Sequence, residues 1–209
     1  MDFHAARQNM VESQVRVNDV TDIPLQLAMR HVQRERLCAP SQAFAAYGEV
    51  EVAIAPGRVL MKPRDVAKLL QTLEPKAGET ALAIAAPYAA AVLASVGLKV
   101  TAVEGDPRAQ AVIEPYLKEL GVKTVTEDLK SPPGTGYDAI IIEGAVAEMP
   151  AAWLKALKVG GRLVVVLKDG AVGRARLYIR LENGFSEREV FDSSPSTLSG
   201  FGRTPAFEF

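Results

Sequence analysis

Glu104 has the residue type and the position to hold a sugar. It closes the apolar run Lys99–Glu104. It also lies about 20 residues beyond a first strand-to-helix turn, the offset at which an acid accepts hydrogen bonds from ribose hydroxyls. The competing reading is a solvated acid in the loop before Asp106-Pro107. Asp128, in Thr126-Glu127-Asp128, stands where an acid could accept from an adenine amino group, or where a plain turn needs a polar residue. The turn between the first such strand and its helix reads Ala85-Ala86-Pro87-Tyr88-Ala89. A nucleotide-type ligand favours glycine there, because the backbone must come close to it and adopt positive φ. A left-handed alanine costs about 1–2 kcal/mol, and proline has no N–H to donate. On residue types alone this turn only connects. A fourth place is Gly57-Arg58-Val59-Leu60-Met61-Lys62-Pro63, just before a helix. An anion could sit at that helix N-terminus beside Arg58, Lys62 or Arg64, or these are surface cations flanking a helix start.

Other reactive types are scarce. Cys38 is the one cysteine, and only His4 and His31 could serve it as a base, so it reads as a small buried hydrophobe. No metal site is expected.

The elements that would carry these residues fall into two regions. Up to about residue 70 the pattern is helical with an irregular middle. Ala5 to Val17 puts Met10, Val11, Val15 and Val17 near one face. Thr21 and Asp22 can cap a second helix with Pro24 in its first turn, carrying Leu25, Leu27, Ala28, Met29 and Val32. Cys38 to Pro63 reads as loops and short strands around Val50, Val52 and Ile54, and Pro63 opens a helix with Val66, Leu69 and Leu70 inward.

From Thr80 strands and helices alternate. Thr80–Ile84, Lys99–Glu104, the run from Val122 to Asp128, Tyr137–Gly144 and Arg162–Lys168 read as strands. Helices follow the first two, the second running to Leu120 with Gly121 as its stop. A short helix spans Met149–Leu157 and is broken by Gly160-Gly161. Repeated strand–helix–strand units imply a parallel sheet. Two strand-like runs on either side of Glu182-Asn183-Gly184 add an antiparallel pair. The expected fold is therefore α/β, a mainly parallel doubly wound Rossmann-like sheet ending in an antiparallel pair, with an N-terminal helical extension. One domain over residues 1–209 is expected, 1–73 forming the extension and 74–209 the core. Phe207 and Phe209, alternating with Glu208, suggest a last strand over Pro205–Phe209.

The chain has 209 residues, 48% hydrophobic and 23% charged, an ordinary globular balance. Its net charge of −1 gives no basic excess that argues for nucleic acid. No apolar run reaches the length of about 18 residues needed to span a bilayer, and the N-terminus lacks a signal-peptide pattern. A soluble, cytoplasmic protein without nucleic-acid or membrane partners is the expectation.

Taken in order, several segments resemble the protein-L-isoaspartate (D-aspartate) O-methyltransferase family. Met10–Arg16 is similar to its opening helix, and Val32-Gln33-Arg34-Glu35-Arg36 to its "VPRE" step. Ala46-Tyr47 resembles the entry to its substrate side, and Gly57–Pro63 its "GQTISQP". Tyr88–Ala94 resembles its "GYQAAVLA", and Val103-Glu104 its ribose-binding acid. Tyr137–Ile142 and Gly160–Val164 are similar to its later strands. No one motif is specific; the ordered set is, and it covers nearly the whole chain.

The resemblance implies a class I S-adenosylmethionine methyltransferase fold and carboxyl methylation of isoaspartyl residues in protein repair. Isoaspartyl-containing proteins or peptides would be the partners. It implies Ala85, Ala86, Tyr88, Glu104, Asp128 and Glu143 on the cofactor side, and Arg58, Met61 and Lys62 on the substrate side. Two departures stand out. The family's "E-I-G-x-G-x-G-Y" reads Ala83-Ile84-Ala85-Ala86-Pro87-Tyr88, shorter by two residues and without glycine. The serine of "T-I-S-Q-P" is Met61, which has no hydrogen to donate, so no catalytic residue is assigned. Three functions follow as alternatives: the active methyltransferase; a non-catalytic binding or regulatory module with an unknown protein partner, its pocket partly filled by Pro87, Tyr88 and Met61; and a relative that binds another nucleoside or small acid.

Overall fold

The computed structural model describes residues 2–203. The alternation of strand and helix produces a seven-stranded sheet in the order β5-β4-β3-β6-β7-β8-β9. Its strands are β3 (Thr80–Ile84), β4 (Lys99–Glu104), β5 (Lys123–Thr126), β6 (Tyr137–Val146), β7 (Leu157–Asp169), β8 (Val172–Leu181) and β9 (Gly184–Asp192). The first five are parallel, and β8 and β9 run antiparallel at one edge, with Glu182-Asn183 at the turn between them. From β3 the chain moves outward to β4 and β5, then returns to β6 on the other side of β3. That reversal opens a crevice at the carboxyl ends of β3, β4 and β6.

The two faces are covered unequally. Helices α3 (Pro63–Leu73), α4 (Pro87–Val96) and α5 (Pro107–Glu119) pack on one face, with α1 (Phe3–Met10) and α2 (Ile23–His31) beside them. Ala81 and Ala83 point there, while Leu82 and Ile84 point to the opposite face, as a period of two requires. Among the described residues, the opposite face is covered by α6 (Ala151–Ala156), which carries Trp153, and by Leu198 and Phe201. The connection from β5 to β6 carries no helix.

Several sequence expectations change. Val17 is 67% exposed, because α1 stops at Met10 and a π-helical turn, Val11–Val15, follows. This wider turn keeps Val11 and Val15 inside but rotates Val17 outward. Leu27 is 51% exposed, and the inward place beside Leu25 goes to Gln26, which donates to the Val20 carbonyl at 2.9 Å. Val50 is exposed and precedes the short hairpin of β1 (Val52–Ala55) and β2 (Arg58–Leu60). Gly160 and Gly161 do not end a helix; they lie inside β7, which starts at Leu157. A Cβ on Gly161 would stand 2.8 Å from the carbonyl oxygens of Lys158 and Tyr137, so glycine permits the close approach of β6 and β7. The expected strand over Pro205–Phe209 lies outside the described residues.

The sheet's amino end is fastened by Asp138 of β6. Its carboxylate accepts from the Thr80 N–H at 2.9 Å and the Thr80 hydroxyl at 2.8 Å, and pairs with Lys158. Burial pushes Asp138 upward, but the ammonium and the two donors outweigh it and hold the group at about 2. A depressed carboxylate contributes stability above its unfolded value and loses it as pH falls toward the folded value. Unfolding in urea should therefore show an Asp138 contribution intact at neutral pH and fading between about pH 4 and pH 2. An Asp138→Asn chain should show a flatter acid limb; an unchanged limb would remove this group from the acid response.

Candidate functional site

At the carboxyl ends of β3, β4 and β6 the sheet meets the β1–β2 hairpin. A cleft of about 580 Å³ opens there, lined among others by Arg58, Glu104, Asp106, Asp128, Leu129 and Phe201. Its outer wall is the segment after β9. Leu198 N–H donates to the Ala145 carbonyl at 2.9 Å, Ala147 N–H to the Phe201 carbonyl at 2.8 Å, and Phe201 packs on Trp153 at 5.4 Å between ring centroids. A register shift in β6 makes this possible. Ile141 pairs with Val164 but Ala145 with Val166, so β6 bulges at Ile142-Glu143-Gly144. Gly144, at φ 133°, lies so close to Leu198 that a Cβ would come within 2.7 Å of its side chain.

Glu104 is 2% exposed and almost fully engaged. Its carboxylate accepts from Gly105 N–H at 2.9 Å and Asp106 N–H at 3.2 Å, and from Nε of Arg58 at 3.1 and 3.3 Å. Arg58 is 6% exposed; its guanidinium also donates to the carbonyls of Val59, at 2.8 Å, and Ala85. Ala85 sits at φ 48°, a left-handed position that an alanine takes at a cost of about 1–2 kcal/mol. The turn that read as mere connection is thus strained and held by Arg58.

The remaining sequence-predicted residues divide. Asp128 lines the cleft, is exposed, and accepts from the Lys130 N–H at 3.0 Å. Ala85, Ala86, Tyr88, Met61 and Glu143 are all buried behind Arg58. Met61 Sδ accepts from the Gly144 N–H at 2.9 Å. Glu143 Oε1 accepts from the Ala89 N–H at 2.6 Å, at the N-terminus of α4, while its Oε2 has no partner among the described residues. Burial pushes Glu143 upward, opposed by the Ala89 N–H and the nearby Arg34 and Arg58 guanidinium groups. Tyr88 is also pushed well up by burial, under the fully buried Arg34, which lies 4.6 Å from its ring. Between Arg58, Met61, Glu143, Gly144 and Leu198 the void is only about 10 Å³, room for no more than one water.

The cations before α3, which could meet an anion or flank a helix start at the surface, do not gather at one place. Arg58 turns inward to Glu104, Arg64 pairs with Glu49 at 2.8 Å and with Asp65, and half-buried Lys62 does not line the cleft. Asp106, not among the candidate residues, also lines the cleft. Arg108 beside it holds its carboxyl down at about 2. Leu129 and Phe201 were missed; Leu129 adjoins Asp128, whereas nothing local marks Phe201. No group of three metal-ligating side chains occurs among the described residues, and no helix there is long and apolar enough to cross a membrane.

The outer cleft, about 580 Å³ with Leu129, Leu198 and Phe201 in its lining, has room for an adenosine-type group once Arg58 releases the Glu104 carboxylate. A methionyl tail does not fit the inner part as it stands, because a void of about 10 Å³ cannot admit it.

The sequence profile described as protein-L-isoaspartate(D-aspartate) O-methyltransferase matches residues 6–191. Protein-L-isoaspartate O-methyltransferase 1 of Rhodopseudomonas palustris (strain HaA2) is 32% identical over 86% of this chain and 75% of its own length. Protein-L-isoaspartate O-methyltransferase 2 of Marinobacter nauticus is 33% identical over 91% and 90%. Among solved structures, a protein-L-isoaspartate O-methyltransferase superposes with a TM-score of 0.78 at 21% identity, covering 94% of this chain and 67% of that one. A putative enzyme of the same name from Plasmodium falciparum, in complex with S-adenosyl-L-homocysteine, gives 0.74 at 17%, covering 92% and 98%.

The two members of the buried pair are unequal. Removing Glu104 leaves a guanidinium buried and uncompensated, whereas removing Arg58 leaves a carboxylate that keeps two N–H donors and a cleft open to water. Glu104→Ala should cost about 3–5 kcal/mol in urea unfolding. Arg58→Ala should cost clearly less, and the reverse order would mean that Arg58 is held by its carbonyl partners alone. Gly144→Ala should cost about 3 kcal/mol and expose the segment from 193 to 203 to proteolysis.

Proposed function

The chain belongs to the protein-L-isoaspartate(D-aspartate) O-methyltransferase family, and from that premise we propose that its reaction is methyl transfer from S-adenosylmethionine to the carboxylate of isoaspartyl residues in proteins. The observation that carries the proposal is the cleft at the carboxyl ends of β3, β4 and β6, with Glu104 and Asp128 lining it as the resemblance requires. On this reading Glu104 receives the ribose, Asp128 the adenine amino group, and the Leu129 and Phe201 side chains cover the base. Residues 1–73 supply the substrate side, through Arg58 and its hairpin, and residues 74–209 the cofactor side.

The described arrangement is then the closed one. Arg58 occupies the Glu104 carboxylate that the ribose needs. Its withdrawal on the β1–β2 hairpin breaks a buried pair, which costs about 3–5 kcal/mol when one partner is left unpaired. The ribose hydroxyls and the two N–H donors offset part of that at Glu104, and solvent at the exposed Pro56-Gly57 tip receives the guanidinium.

A second reading, a binding module that keeps the cleft without methyl transfer, is favoured by one observation. The inner void is closed by the chain's own side chains.

Calorimetric titration of S-adenosylhomocysteine, with methylation of an isoaspartyl peptide assayed on the same preparation, separates the two. The proposal expects Kd in the micromolar range, about −8 kcal/mol, and turnover of the isoaspartyl peptide but not of its aspartyl counterpart. Binding without turnover supports the module instead. Absence of binding at millimolar ligand sinks both uses of the cleft.

A further inference from the structure

At the carboxyl end of β3, the turn Ala85-Ala86 and the N-terminus of α4 are where an α/β sheet receives the anionic end of a ligand. In this chain that place is taken. The Glu143 carboxyl group, 0% exposed, accepts the Ala89 N–H at 2.6 Å, one of the first free donors of α4 after Pro87. It gets there because the bulge in β6 lies at Ile142-Glu143-Gly144. Its Oε2 lacks a partner among the described residues, as does the hydroxyl of Tyr88, one residue into the same helix and also fully buried. Glu143 lines the void of about 10 Å³ in the closed inner half of the site, whereas Tyr88 does not line it and packs against Arg34. Arg58 seals this half from the larger cleft by bridging Glu104 and the Ala85 carbonyl.

We propose that Glu143 and Arg58 are built-in occupants of the inner half of the site, Glu143 taking the place of a ligand's amino-acid carboxylate, so that the cleft selects on the nucleoside and gains little from the tail. The inference rests on the reading of the outer cleft as an adenosine site. Its chemical consequence is a change in specificity. A ligand that carries adenosine and a short uncharged 5′ group competes on nearly equal terms with one that carries the full amino-acid tail. For the longer ligand, its carboxylate and the Glu143 carboxyl group contend for the Ala89 N–H at one helix terminus, and Glu143 already holds it.

The test compares two probes, 5′-methylthioadenosine and S-adenosylhomocysteine, which differ only in the tail, by calorimetric titration into the wild-type chain, Glu143→Ala and Glu143→Ser. Thermal unfolding checks that each variant is folded. In the wild type the two probes should differ by less than tenfold in Kd. In Glu143→Ala the ratio should shift at least fivefold in favour of S-adenosylhomocysteine, with 5′-methylthioadenosine little changed. If Glu143→Ala does not fold, Glu143→Ser, which also vacates the inner half, is held to the same fivefold criterion. A tenfold or greater preference for S-adenosylhomocysteine in the wild type, or a smaller shift in the folded variant, overturns the inference while leaving the adenosine reading in place. No binding of either probe to any of the three chains overturns the adenosine reading, and the inference with it.

Discussion

The Arg58–Glu104 ion pair is the contact on which the site is organised. It joins residues 46 apart, one on a short hairpin and one at the end of a central strand. Both groups are almost completely removed from water, and the guanidinium needs the carboxylate more than the carboxylate needs it. Glu104 is anchored by the two N–H groups that follow it, which fixes where the guanidinium must come. The hairpin is thereby drawn onto the carboxyl edge of the sheet. The same guanidinium then reaches the Ala85 carbonyl and holds a left-handed alanine in place. A charge buried to hold the fold also closes the inner site.

The opposite wall follows from a second constraint, the glycine in the β6 bulge. Because Gly144 has no Cβ, Leu198 can press against β6, and the segment that carries it bonds to Ala145 and Ala147. That brings Phe201 over Trp153 and completes this wall of the cleft. The bulge also turns Glu143 toward α4, so one irregularity both admits the wall and delivers the inner carboxyl group.

Much of this was readable in advance where a rule is local. The alternation from Thr80 onward gives the parallel sheet, and Glu182-Asn183-Gly184 gives the hairpin at its edge. Glu104 and Asp128 meet at one cleft because each follows a strand of the same parallel sheet, β4 and β5. What could not be read is set by non-local contacts. Nothing near Arg58 announces that its partner is Glu104 rather than solvent or an anion before α3. Phe201 reaches the cleft only through pairing at Ala145 and Ala147, far away in sequence. Val17 was misplaced because a π-helical turn has no signature in hydrophobic spacing, and Gly160-Gly161 because close strand approach and helix termination both call for glycine.

The departures from the family pattern form one physical change rather than several. A glycine-rich turn is needed where a ligand must approach the backbone at positive φ. When a guanidinium inside the chain takes the turn's carbonyl and a carboxyl group takes the helix N–H, no outside ligand needs that approach. A left-handed alanine can then be carried by the contacts around it. Met61 fits the same account. At the position of a hydroxyl donor it presents a sulfur, which accepts the Gly144 N–H and braces the bulge that carries Glu143. Each substitution alone would leave a strained turn, an unpaired buried charge or an unsupported bulge. Together they make a closed inner half, with an open cleft beside it that Glu104 and Asp128 line.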